Sequence, residues 1–386
     1  MRKWIFGLFV AGVGLAAPAA QSIEAQVVGD SLAVEPTPPT ASRYNLYFVK
    51  GRSYGTDAYG GPFDVILNKG FAVSQWQDQD RHIFSYPYGW NAVWASVTKP
   101  GPAMERAGGW VKVFKYHLLP LGWDELKAGQ WMPNYFGHIL EGGLAYRRLL
   151  EWNRVNGMPF PTLSALLVTQ LAATINEAYE TPVADPWVQE NGTAGAFMDW
   201  AIHDPLGMLL MHQDPIAGFF ANRLGAVVWP RQASITFPGG RLTNNGEAVI
   251  LRPKLWFTDD FRLFFRGGVG AEGGISFPIG ERGPDGLTLN IGAGANSSGR
   301  QLNVEHIEEA TFSFSSGIWI DRDGALLFST TWDHKTDRRL AIDVFPGVIS
   351  IAGSTIGAWF QLDQNYTPYF GVTGRRTLGA GIGVGL

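Results

Sequence analysis

Three pairs of ionisable residues in this 386-residue chain sit at helical spacing: His138 with Glu141, Glu177 with Glu180, and Asp199 with His203. Spacings of three and four put both members of a pair on one helix face. Carboxylates and imidazoles brought together from neighbouring helices could surround a metal ion, a donor set that suits Zn, Fe or Mn. His138, Glu141, Glu177, Glu180 and His203 are the candidate ligands on that reading. The same positions could do acid–base work, with His138 as general base and Glu177 or Asp199 orienting it. A third reading is purely structural, because buried His, Glu and Asp in helix clusters often only hydrogen-bond one another. Glu177 and Glu180 close their helix, where the dipole disfavours carboxylates, so a compensating partner such as His138 is expected.

The elements that must position these groups are helices. One is expected over 134–156, stopped by Gly157 with Pro159 and Pro161 beyond it. A second starts at Pro161-Thr162 and runs through Leu163, Leu166, Leu167, Leu171 and Ile175 to Glu180, ending before Pro182. It is apolar around much of its circumference, as a buried helix is. A third spans 194–211, with Pro205 expected to bend it.

The series Asn134-x-x-x-His138, then Gly157, Glu177 at the end of the second helix, and Asp199 with Gly207 in the third resembles a family of uncharacterised bacterial envelope proteins. Its members join such a helical unit to an outer-membrane β-barrel. A weaker resemblance is to VanZ-like helical domains, which share the His, Glu, Asp order. The resemblance covers about residues 130–212. It departs at His203, where those families tend to show Thr or Asn, and at Pro205, which falls one place off. What it implies is location and architecture rather than an activity.

The C-terminal third reads as such a barrel. Over 261–277, apolar Phe261, Leu263, Phe265, Ala271, Ile275 and Phe277 share one parity against Arg262, Arg266, Glu272, Gly274 and Ser276. Successive strand side chains point to opposite faces, so this is one strand with a greasy and a polar face. About ten strand candidates follow by the same rule: 226–237, 247–257, 261–277, 286–296, 309–320, 324–332, 338–346, 354–362, 366–374 and 378–386. The fold class is therefore mainly β with an α-helical unit: a C-terminal antiparallel β-barrel of about 10–12 strands over 226–386, preceded by three helices over 134–212. The polar faces carry Gly, Ser, Thr and Asn where a solvated sheet would carry Lys and Glu, which favours an outer-membrane barrel over a soluble one. Gly-rich faces around Gly268, Gly292 and Gly381 read as room made for the helical unit.

Residues 1–20 have a basic start, an apolar run and small residues near Ala17-Pro18-Ala19, the pattern of a secretory signal peptide. Residues 21–42, with Pro36, Pro38 and Pro39, read as a disordered linker. Residues 43–133 are aromatic and irregular, with short strands expected at 45–49, 92–97 and 110–116. With no Cys there are no disulfides, thiol nucleophiles or thiolate metal sites. A net charge of −4 gives no electrostatic footprint for nucleic acid. There is no nucleophile elbow, His-Glu-x-x-His or phosphate loop, and no cofactor is expected. The expected partners are outer-membrane lipid and the barrel assembly machinery, and the expected location is the outer membrane, with the periplasm as alternative. The functional readings are a structural or envelope-maintenance barrel, an outer-membrane enzyme acting on a lipid or envelope substrate through His138, Glu177 and Asp199, and a porin-like channel.

Overall fold

The computed structural model describes residues 44–75, 89–118, 131–181, 185–268, 270–280, 286–298, 301–303, 306–307, 311–333, 338–351, 354–374 and 380–385. The signal and linker expectations over 1–20 and 21–42 lie outside these residues. The protein is mainly β, a thirteen-stranded sheet accompanied by several helices.

In chain order the helices are α1 (Pro62–Val65, continuing as a π segment Ile66–Gly70), α2 (Trp90–Thr98), α3 (Gly101–Arg106), α4 (Trp110–Leu118), α5 (a π segment Trp131–Glu141 running into Gly142–Val155), α6 (Pro161–Glu180) and α7 (Pro186–Asn191). They are followed by α8 (Ala194–Met198, a π segment Asp199–His203, then Asp204–His212) and α9 (Asp214–Gly218 with a π segment Phe219–Arg223). The three expected helices are thus present. α5 ends as its sequence demands: Gly157 takes φ +65°, its N–H bonds to the Arg154 carbonyl, and the N–H of Met158 reaches back to Asn153. That is the paired closure a left-handed glycine permits. Pro205, expected to bend the third helix, sits in the first turn of Asp204–His212, where a missing N–H costs least, directly after the wide π turns.

The strands expected upstream are not found. Residues 92–97 and 110–116 lie in α2 and α4, and 45–49 forms no strand. A short amphipathic helix and a short strand present similar runs of apolar residues, and length alone did not separate them.

The sheet consists of β1 (Val227–Pro230), β2 (Ser234–Phe237), β3 (Arg241–Thr243), β4 (Glu247–Leu251), β5 (Arg262–Gly267), β6 (Gly270–Ile279), β7 (Leu287–Ser298), β8 (Thr311–Arg322), β9 (Ala325–Asp333), β10 (Leu340–Ile351), β11 (Ser354–Leu362), β12 (Pro368–Gly374) and β13 (Gly381–Gly385). Its order is β1-β4-β5-β6-β7-β8-β9-β10-β11-β12-β13-β2-β3. The expected all-antiparallel arrangement is broken once, where β13 runs parallel to β2, pairing Ile382 with Ile235. The expected single strand 261–277 is two, with Gly267 paired to Ala271 across a tight turn. Such a turn keeps Leu263, Phe265 and Ile275 on the same face, so a period-two count runs straight through it. The candidate 226–237 is likewise interrupted at 231–233.

Registers across that interruption match. Val227 faces Ile250 and Pro230 faces Glu247 in one half; Ser234 faces Thr243 and Thr236 faces Arg241 in the other, with the Arg231 N–H bonded to the Gly246 carbonyl between them. Segments 227–237 and 241–251 therefore form one long hairpin whose halves lie at opposite ends of the strand order.

Face by face the sheet inverts the usual soluble pattern. Leu263, Phe265, Ile275, Ile291, Ile318 and Val372 are exposed, while Glu272, Ser276, Asn290, Ser315, Asp321 and Asp343 are buried. Trp229, Ile250, Phe264, Trp319 and Phe345 pack with Tyr59 on the buried side. Of the glycines expected to make room for the helical unit, Gly292 faces Phe264, Gly381 faces Ser234 and Thr373, and Gly268 faces the Glu247 carbonyl; only the neighbouring Gly267 receives a helical side chain, Phe136, while Gly371 and Gly383 make room for Trp359. The helices instead meet the other face of β1 and β4, where Val228 and Val249 pack with Leu144, Met211 and Ala217.

One buried ion pair fastens the N-terminal segment to α5. Arg147 Nε donates to Glu151 Oε1 at 2.7 Å, and Glu151 Oε2 accepts three backbone N–H groups, from Tyr47, Phe48 and Val49, at 2.7–3.0 Å. Both side chains are fully buried. Glu151→Ala would strip Arg147 Nε of its partner, leaving the guanidinium to Asp214 and the Asn45 and His212 carbonyls, and would orphan three buried N–H groups, so it should destabilise the protein by about 3–5 kcal/mol. Thermal unfolding of the purified, folded protein measures this.

Candidate metal centre

The expected site residues converge. His138 lies in the π segment of α5, Glu177 in the last turn of α6, and Asp199 opens the π segment of α8. His138 Nε2 stands 3.8 Å from Glu177 Oε1 and 3.8 Å from Asp199 Oδ2. One donor atom from each of the three lies within 4.8 Å of the others. Asp204, which the sequence reading did not single out, accepts from His138 Nδ1 at 3.2 Å. His203 serves Asp199 rather than the centre, its Nδ1 lying 2.6 Å from Asp199 Oδ1. Asp204 was visible only as an acid four residues before the last Met208 turn of an apolar helix; its i+5 offset from Asp199 hides the shared face unless π turns intervene.

Close helix crossing makes the meeting possible. Any Cβ on Gly207 would collide with the Ile139 carbonyl, and one on Gly143 with Gly207 and Met211. α5 and α8 thus touch backbone to backbone beside the cluster, and Gly142 leaves room for Asp204 Oδ1 and the Lys69 ammonium on its own surface.

Electrostatics follow from burial and crowding. Burial alone would lower the His138 pKa, but Asp199, Asp204 and Glu177 together raise it well above the ordinary histidine value. Burial raises the Glu177 carboxyl strongly, and the charges of Asp199 and Glu180 raise it further. Asp199 is held below its usual range: burial opposes this, but His138 and His203 outweigh it. Glu180, raised by burial to about 7, feels both His138 and Asp199 and so borders the cluster. Three buried polar atoms of this cluster have no hydrogen-bond partner: Glu177 Oε1, His203 Nε2 and Asp204 Oδ2.

Glu141 does not join. It is not among the convergent donors, and after burial the charge of Lys69, ahead of that of His138, is the largest influence on it. One π turn rotates Glu141 off the face that a regular three-residue step would share with His138. The enzyme reading required the cluster to open to a substrate. The His138 and Asp199 side chains keep only 11% and 13% exposure and Glu177 4%, enough for an ion or water. Two surface depressions, at Gly218, Asn222 and Lys254 and at Glu105, Arg106 and Trp187, lie elsewhere.

No family model matches this chain, and searches of curated proteins and of solved structures likewise yield no match.

Gly207→Val should force α5 and α8 apart, lowering stability by about 1–3 kcal/mol and lengthening the His138–Asp204 contact, which thermal unfolding and the histidine ring NMR shifts would report. Glu141 generates a pH dependence. Burial pushes its carboxyl from near 4.5 up to about 7, so the folded state holds the proton that the unfolded state releases. That contribution is complete below about pH 4.5 and is lost as pH rises through 7, for a total on the order of 3 kcal/mol. Glu141→Gln should flatten the fall in melting temperature between pH 5 and 8; an unchanged slope would contradict the assignment.

Proposed function

We propose that this chain is an outer-membrane β-barrel protein with a helical unit packed at the barrel seam and a structural or envelope-maintenance role. The observation that carries the reading is the inverted sheet, with Leu263, Phe265, Ile275, Ile318 and Val372 outward and Glu272, Asn290, Asp321 and Asp343 buried inward. A soluble barrel would put its apolar side chains inside and its charges out. In a bilayer the outward face meets lipid, and the inward polar groups must satisfy one another.

Closure of the sheet into a barrel is part of this proposal. The long hairpin 227–237/241–251 joins β5 at one end of the strand order to β13 at the other. Counting each arm as a single stave turns the thirteen strands into a ring of about eleven with one parallel seam; odd-numbered transmembrane barrels exist, although even numbers prevail in bacteria. In such a ring Trp229, Trp319, Phe264 and Phe345 fill the interior with Tyr59, which argues against an open porin-like channel. The family resemblance of the helical series points to the same envelope location.

The test uses the full-length protein expressed with its N-terminal segment. It should fractionate with outer membranes and migrate differently on gels before and after heating. Recovery as a soluble periplasmic protein would overturn the reading. Ile318→Lys adds a second check: on a lipid face near mid-strand it should cost about 2–4 kcal/mol in bilayer folding stability, whereas on a wetted face it would be close to neutral.

A further inference from the structure

We propose that His138, Glu177 and Asp199 bind a divalent transition-metal ion, with Zn²⁺ as the representative probe, and that Asp204 and His203 hold the ligands in place. The proposal depends only on α5, α6 and α8 and is independent of whether the sheet spans a membrane.

Two geometric facts separate this arrangement from a hydrogen-bonded polar network. The first is spacing. His138 Nε2 is 3.8 Å from both carboxylate oxygens, too far for hydrogen bonds. Ligands at about 2.0–2.2 Å from a common Zn²⁺ stand roughly 3–3.6 Å apart, so the two His138 gaps need a contraction of only a few tenths of an ångström, and the carboxylate–carboxylate gap, within 4.8 Å, closes by side-chain rotation onto the ion. A network built for hydrogen bonding would have closed these gaps to about 2.8 Å.

The second is that Glu177 Oε1 is left without a bond while the far sides of His138 and Asp199 are fixed. His138 Nδ1 is 3.2 Å from Asp204 Oδ1, which turns Nε2 toward the two carboxylates. Asp199 Oδ1 is 2.6 Å from His203 Nδ1, which turns Oδ2 inward. Glu177 Oε1 is buried and has no partner. An orphaned carboxylate oxygen inside a helix cluster is costly unless something fills its coordination sphere. A carboxylate bonded to the far nitrogen of a ligating histidine is the usual outer support of such sites.

Charge and ligand type agree. One neutral imidazole and two carboxylates balance a divalent cation, and nitrogen with oxygen donors suits Zn²⁺, Fe²⁺ or Mn²⁺ rather than Ca²⁺. Three protein ligands leave a coordination position for water, and the 13% exposure of the Asp199 side chain provides a route for ion entry. Without metal, protons occupy the role of the cation, and metal binding releases them.

The experiment is titration of the metal-stripped, full-length folded protein with Zn²⁺ by calorimetry, repeated with Co²⁺ to read the ligand field by visible absorption. The expected result is one ion per chain, a rise in melting temperature on loading, and proton release. Glu177→Gln, nearly isosteric, should leave the metal-free protein as stable as the parent or more so, yet weaken Zn²⁺ binding at least 100-fold. Asp204→Asn should weaken it about 10- to 100-fold. His212→Gln, which lies outside the cluster and contacts Tyr146, should leave binding unchanged. Absence of saturable one-to-one binding, or binding undiminished in Glu177→Gln, would overturn the proposal. If His138→Ala does not fold, the Glu177 and Asp204 variants still decide it.

Discussion

A sheet that turns its apolar side chains outward must find partners for every polar group it turns inward. In this protein many of the buried polar groups do so in linked sets. Gln232 and Asn244 both donate to Asp343, and Gln361 donates to Asn244. Arg252 and Asn290 share Asp321 Oδ2 at 2.6 and 2.9 Å, and Arg266 and Ser315 share Glu272. Each carboxylate thus has at least two donors, the condition under which a buried charge is tolerable. Large aromatic rings take the remaining volume, and glycines at 371 and 383 exist in the positions where Trp359 needs the space.

The same demand explains why the N-terminal segment is drawn against the sheet. Tyr59 bonds Thr373 at 2.6 Å, Thr56 accepts the Leu326 N–H, and Arg148 ties the Thr56 and Tyr59 carbonyls to Asp64. Arg148 belongs to α5, one residue from the Arg147–Glu151 pair that holds residues 47–49. One helix turn therefore fixes two stretches of an otherwise irregular segment. The helical unit is connected to the sheet through buried charge as much as through apolar packing.

The helices were legible because their stops were written in chemistry that acts locally. Gly157, Pro161 and Pro182 mark boundaries whatever the tertiary context, and α6 begins and ends where these residues require. Strand number was less legible because the signal has period two: the tight turn after Gly267 preserves parity, and the break at 231–233 occurs inside a continuous register. The site was half legible. His138, Glu177 and Asp199 were readable from spacing, whereas Glu141 and Asp204 exchanged roles because the π segments in α5 and α8 rotate the faces that a regular helix would present. The short helices α2 and α4 read as strands because aromatic residues at sparse intervals fit either period.

Those π segments also couple the cluster to the sheet. The wide turns that aim His138 at Glu177 and Asp199 sit in the same eleven-residue stretch that lays Phe136 on Gly267, where a Cβ could not coexist with the ring. Gly267 is the last residue of β5 and pairs with Val249, whose side chain packs in the same cluster as Leu144 of α5. A displacement of the π segment would move an imidazole and an aromatic anchor together. Helix irregularity is costly and persists where the surroundings over-determine it; here the sheet on one side and three carboxylates on the other both constrain it. The geometry of the cluster is therefore set by the packing of the helical unit against β1, β4 and β5, and a group bound there would feel the state of the sheet.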